Sequence, residues 1–141
     1  MAIGDVREGI RSSPEADLKD LLSHAKLPVP QFNPRLYIDD DFIASPDAWW
    51  QHAGVAAEVD SGEYHLSPAD HERTLARDAR MRAHGINVLH LTPRQIRTQP
   101  AQVIAILKAA LANAGSRPPL PVRARPAHQR PERPDAPVSR R

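Results

Sequence analysis

The sequence predicts a mixed α/β domain, an αβββαβ core whose mixed four-stranded sheet is flanked by helices, with an extra C-terminal helix and a separate tail. Three observations predict it. Two Ser-Pro pairs, Ser13-Pro14 and Ser67-Pro68, each open a stretch of helical periodicity. Short runs of strand-like length and apolar character fill the space between them, and one more follows the second helix. From residue 116 the composition turns to proline and arginine with almost no bulky apolar residue.

The elements follow in order. In "SSPEADLKDLLSHA", Ser13 is the N-cap and Pro14 suits the first turn. Leu18, Leu21, Leu22 and Ala25 then recur at helical spacing until Pro28 and Pro30 stop the helix. "FNPRLYI" (32–38) and "FIASPDAWW" (42–50) flank the acidic turn Asp39-Asp40-Asp41 and read as a hairpin, and "GVAAEVD" (54–60) as a third strand. The second helix runs from Pro68 to about His84, capped by Ser67, with Asp70 at the capping-box position and Gly85 as its left-handed end. "INVLHLT" (86–92) is the fourth strand. After the passage "PRQIRTQ", a last amphipathic helix places Val103, Ile104, Leu107 and Leu111 on one stripe. A meander of three strands, a crossover helix and a fourth strand make a mixed sheet.

Residues 1–12 are expected to be a flexible N-terminus, 13–115 the folded domain, and 116–141 a disordered arm with polyproline II character. The net charge of +2 is unevenly spread: the arm holds seven arginines against Glu132 and Asp135, so the other 115 residues are net acidic. An arginine-rich arm suits phosphate backbones; equally, it can be a solubilising extension. Without cysteine there are no disulfides and no thiolate metal sites. No apolar run reaches the ~20 residues of a membrane helix, and no signal-peptide layout opens the chain, so a soluble cytoplasmic protein that does not engage a membrane is expected.

The stretch "AEVDSGEYH" (57–65) gathers Glu58, Asp60, Glu63 and His65 at the end of the third strand. Residues i and i+2 of a strand share a face, so Glu58 and Asp60 point the same way, and Asp47 on the hairpin-partnered strand can come beside them. Hard oxygen ligands of this kind suit Mg²⁺ or Mn²⁺. They also suit a solvated strand edge. His65 is able to take a proton near neutral pH, or is a plain helix-entry histidine. Arg73, Arg77 and Arg80, continued by His84, form one stripe on the second helix. It suits a phosphodiester, or is a solvated face pairing in part with Glu72 and Asp78. Trp49 and Trp50 are base-stacking candidates or core. His24, His52, His71 and His90 carry no expected role.

Taken together, the element order, "SPEADL", "SPDAWW", "AEVDSGEYH" and "ERTLARDARMRAHGINVLHLTPRQI" resemble the domain-of-unknown-function 559 family, over roughly residues 12–112. That family is related to the very short patch repair endonucleases of the PD-(D/E)xK, restriction-endonuclease-like superfamily. The resemblance implies Asp47 as the first metal-binding aspartate, Glu58 as the second acid, and Asp60 where many of these nucleases carry lysine. It implies Glu15 as a supporting acid on the first helix and His65 as the histidine after E-x-D. Ser61 replaces the usual glycine, with Gly62 next. The implied function is Mg²⁺- or Mn²⁺-dependent hydrolysis of DNA phosphodiester bonds. Asp47, Glu58 and Asp60 would hold the metal, His65 would act as base, and Arg73, Arg77 and Arg80 would grip phosphates. The alternative is an inactive nuclease fold that binds DNA or a partner in a defence or toxin–antitoxin module. An upstream DNA-binding domain or partner chain is also implied.

Overall fold

The computed structural model describes residues 13–60, 67–115 and 117–126. Four helices, α1 (Pro14–Ser23), α2 (Pro68–Ala83), α3 (Pro93–Thr98) and α4 (Pro100–Asn113), accompany seven strands. The strands are β1 (Gln31–Phe32), β2 (Arg35–Ile38), β3 (Asp41–Ala44), β4 (Ala48–Trp50), β5 (Val55–Val59), β6 (Asn87–Leu91) and β7 (Arg123–Arg125).

The main sheet is four-stranded and mixed, as expected, in the order β1-β4-β5-β6. β4 runs antiparallel to β1 and β5, whereas β5 and β6 are parallel, with α2 between them in sequence. The two arms of the expected hairpin are not continuous, however. Each breaks in the middle and contributes to two sheets. Asn33 adopts a left-handed φ of 54° before Pro34, and Ser45-Pro46 interrupts the other arm. Neither proline can donate to a ladder, so the outer halves swing away. They form a second antiparallel sheet, β3-β2-β7, over one face of the first.

Alternation along β4 and β5 divides the core. Ala48, Trp50, Val55 and Ala57 face α1, α3 and α4 through Leu18, Ile96, Val103 and Leu107. Trp49, Ala56 and Val88 face Met81 of α2, Leu36 and Ile43 of the second sheet, and Val122 just before β7. Trp49 and Trp50 are 0% and 1% exposed, and their indole N–H groups donate to Gln51 Oε1 and the Pro28 carbonyl. This overturns the base-stacking reading: both are core.

The caps behave as the Ser-Pro pairs demand. Ser13 accepts from the Ala16 N–H and Ser67 from the Asp70 N–H. Asp70 does not complete a capping box; its carboxylate turns to Arg73. A full box forms instead at Thr92 and Gln95, opening α3, a helix where the sequence suggested only a passage.

Residues 117–126, expected to belong to the disordered arm, instead pack on the domain. Arg117 donates to the carbonyls of Gly85 and Ala53, and Leu120 packs over Gly54 and Gly85, two glycines with positive φ. A Cβ on Gly54 would lie 2.7 Å from Leu120 Cδ1, so any larger residue there would make the leucine side chain shift. Val122 is buried and β7 extends the second sheet. The N-terminal segment 1–12 and residues 127–141, expected to be flexible, lie outside the described residues. Among the described residues no helix is long and apolar enough to cross a membrane.

Candidate functional site

The sheet geometry gathers the acids. β4 pairs with β5 so that Ala48 opposes Ala57, which sets Asp47 opposite Glu58 at the strand ends. β5 pairs in parallel with β6, with His90 beside Glu58. By alternation, Asp47, Glu58, Asp60 and His90 share the face that carries Trp49, Ala56 and Val88, the face covered by α2. The inward stripe of α2 is Asp70, Thr74, Arg77, Asp78 and Met81, of which only Met81 is apolar and fully buried. Hydrophobic packing thus ends at Met81. Beyond it the helix and sheet enclose a cleft of about 540 Å³ lined by Asp47, Glu58, Asp60, Arg77, Asp78 and His90.

Each side chain is held. Asp47 Oδ2 accepts the Val59 N–H at 2.7 Å, and its backbone carbonyl accepts from Asn33, whose side-chain amide donates to Glu15. Glu15 therefore stands behind Asp47 through one intermediary, and Lys19 lies 3.9 Å from it. Arg77 Nε is 3.7 Å from Glu58 Oε2, an ion-pair distance too long for a hydrogen bond. His90 bridges two carboxylates: Nε2 is 2.7 Å from Asp78 Oδ2, and Nδ1 is 3.0 Å from Asp60 Oδ1. Both ring nitrogens face acceptors, so the doubly protonated imidazolium is the form that satisfies both.

Electrostatics follow from that packing. Glu58, 6% exposed, has its pKa pushed up to about 7, chiefly by burial and further by the Asp47 charge, against the opposing pull of Arg77. Burial also raises Asp47, against the Val59 hydrogen bond that lowers it, with Glu15 and Asp60 adding repulsion. For His90 burial disfavours the cation, but the hydrogen bonds it donates to the Asp60 and Asp78 carboxylates prevail and its pKa is raised. Four carboxyl groups thus face one guanidinium and one imidazole. Glu58 Oε2, Asp78 Oδ1 and Arg77 Nε are buried with no hydrogen-bond partner. Buried polar groups are nearly always satisfied, so these three atoms in one acidic cleft, two of them facing each other across the 3.7 Å ion pair, make it the candidate functional site.

Of the site residues expected from sequence, Asp47, Glu58, Asp60 and Arg77 line this one cleft, with Glu15 just behind. Arg73 and Arg80 border an adjoining groove with Arg77. Arg73 pairs with Asp70, Arg77 with Glu58, and Arg80 Nε donates to the Ile43 carbonyl at 3.0 Å, so neither Glu72 nor Asp78 is the partner of the stripe. His65 lies outside the described residues. The described His, Asp and Glu side chains form no group of three or more placed to ligate an ion as they stand, and Asp60 is turned to His90. His90 itself, set aside on the sequence, is a central member of the cluster. The missed signal was its position: on β6 it takes the place of an inward-facing apolar residue, as Asp78 does on α2.

No family model matches the chain, and neither the curated proteins nor the solved structures give a significant match.

Proposed function

We propose that the domain is an endonuclease-like hydrolase of DNA phosphodiester bonds, of the PD-(D/E)xK kind, working with Mg²⁺ or Mn²⁺ held by Asp47, Glu58 and Asp60. The observation that carries this reading is Glu58: a buried carboxylate opposite Asp47, one oxygen without a hydrogen bond and only loosely paired with Arg77, in a cleft with an excess of acids. A cation would satisfy that oxygen and neutralise the excess, and an all-oxygen donor set suits a hard divalent ion. Bound there, such an ion would stabilise charge on the phosphoryl group and acidify water.

The chain's own residues do the rest. His90, braced by Asp78, holds Asp60 at the cleft mouth, and Glu15 supports Asp47 through Asn33. Arg77 can leave Glu58 for a phosphate once a cation takes its place, and Arg73 and Arg80 extend the same basic groove along the backbone. His65 retains the role of general base in this reading. The reaction is in-line attack of water at phosphorus: the new P–O bond forms as the bond to the leaving oxygen breaks.

A second reading has its own support. Arg77 already faces Glu58 and His90 already engages Asp60, so internal pairs supply part of the charge balance without metal. That favours an inactive nuclease fold that binds DNA. The two separate on a labelled panel of duplex, mismatched, nicked, branched and single-stranded substrates, with Mg²⁺, Mn²⁺ or EDTA. The hydrolase reading expects cutting that needs metal and is lost in Asp47→Asn and Glu58→Gln; binding without cutting under every condition refutes it.

A further inference from the structure

The second sheet carries a feature that neither the core nor the acidic cleft explains. Its inner face is apolar, with Leu36, Ile38 and Ala124 packed against the core. Its outer face, fixed by the register that pairs Arg35 with Arg125 and sets Tyr37 opposite both Arg123 and Phe42, consists of those five side chains. Three are arginines, two are aromatic and none is a carboxylate. Arg35 sits directly across from Arg125, an arrangement that costs stability in an isolated sheet. Among the described residues none of these three arginines forms an ion pair.

The aromatics organise the charges. Arg125 stacks over the Tyr37 ring at 5.0 Å, which aims its guanidinium along the sheet surface. Phe42 meets Tyr37 edge-on, with centroids 5.7 Å apart and planes at 69°, and remains 51% exposed. An exposed ring among arginines that form no ion pair with the described residues matches the two needs of an unstacked polynucleotide, a platform for a base and cations for the flanking phosphates. A duplex buries its base faces in its own stack, so Phe42 can receive only an unpaired base. Arg80, which borders the groove of Arg73 and Arg77, is hydrogen-bonded to the carbonyl of Ile43, the residue after Phe42.

We propose that the outer face of β3-β2-β7 is a binding surface for single-stranded nucleic acid. A base stacks on Phe42, Arg35, Arg123 and Arg125 hold phosphates, and the strand is delivered toward the cleft. The sequence after β7 adds four arginines against Glu132 and Asp135, in keeping with a polyanionic partner. The proposal rests on the nucleic-acid reading above and deepens it: the substrate has unpaired bases next to the scissile bond.

The test is fluorescence anisotropy of a labelled oligothymidylate and of a duplex of equal length with the full chain, in EDTA, across a salt series. Single strands should bind more tightly than duplex. Phe42→Ala should weaken single-strand binding roughly tenfold and leave duplex binding unchanged. The combined Arg35→Gln, Arg123→Gln, Arg125→Gln variant should flatten the single-strand salt slope by about 2, and the corresponding triple lysine variant should restore it. Melting curves matching wild type show that these surface variants fold. Unchanged binding in both Phe42→Ala and the triple glutamine variant overturns the proposal. So does displacement of the oligonucleotide by phosphatidylserine vesicles or polyglutamate as effective as by unlabelled oligonucleotide. Because binding is read without metal, a failure of cleavage with Mg²⁺ or Mn²⁺ counts against the hydrolase reading alone.

Discussion

Replacing Glu58 with glutamine isolates the cost of keeping that carboxylate in its buried position. Its pKa rises from 4.5 to about 7 on folding, so the folded protein holds a proton there that the unfolded chain has released. A group that binds more protons when folded makes stability fall as pH rises; the loss begins near 4.5 and is complete above about 7. At about 1.4 kcal/mol per pH unit, ionised Glu58 costs the metal-free fold about 3 kcal/mol at pH 8 and under about 1 kcal/mol at pH 5. Glutamine is nearly isosteric and does not titrate, though it leaves Arg77 without an anion. In EDTA, Glu58→Gln should therefore melt close to wild type near pH 5. By pH 8 it should be more stable by about 1–3 kcal/mol, roughly 4–12 °C for a domain this size. Differential scanning calorimetry of both proteins over that pH range measures the difference directly. A difference that does not grow with pH, or a glutamine variant less stable than wild type at pH 8, would refute the reasoning.

Other outcomes follow from the same cluster and from the fold. Arg77→Met removes the cation opposing the upward shift of Glu58, so the carboxyl should titrate still higher in metal-free protein; carbon-detected NMR of its side chain reads this, and an unchanged titration contradicts it. His90 has a raised pKa, so its pairs contribute fully below its unfolded value of 6.5, and the contribution is lost as pH rises through the folded value. His90→Gln should then cost about 1.5–3 kcal/mol near pH 6 and progressively less above that, by chemical denaturation at each pH. Ending the chain at Gly115 removes the Leu120 and Val122 packing together with β7, and should cost at least about 2 kcal/mol in urea unfolding.

What could be read from the sequence was what depends on local chemistry. Ser13-Pro14 and Ser67-Pro68 announce their helices because capping and proline geometry are settled within one turn. Strand alternation alone put Glu58 and Asp60 on one face, and a tight antiparallel connection was enough to bring Asp47 near them. The sheet to which each strand half belongs was not legible. Pro34 and Pro46 show where ladder bonding fails but not where the freed segment goes. β7 was hidden because "VRAR" reads as a charged arm, and only contact with β2 reveals its alternation of arginine outward and alanine inward. His90 was hidden for a related reason: its partners Asp60 and Asp78 are 30 and 12 residues away, brought together by the parallel β5–β6 register and the turn of α2.

The most direct test of the central claim is Mn²⁺ binding by the full chain at about pH 8, followed by calorimetry and by the loss of the free-ion signal in electron paramagnetic resonance. If Asp47, Glu58 and Asp60 form a cation site, wild type binds saturably, Asp47→Asn and Glu58→Gln do not, and Mn²⁺ raises the melting temperature of wild type alone. Equal weak binding by all three proteins, with no shift in melting, would mean that the acids of this cleft are balanced by Arg77 and His90 and hold no metal.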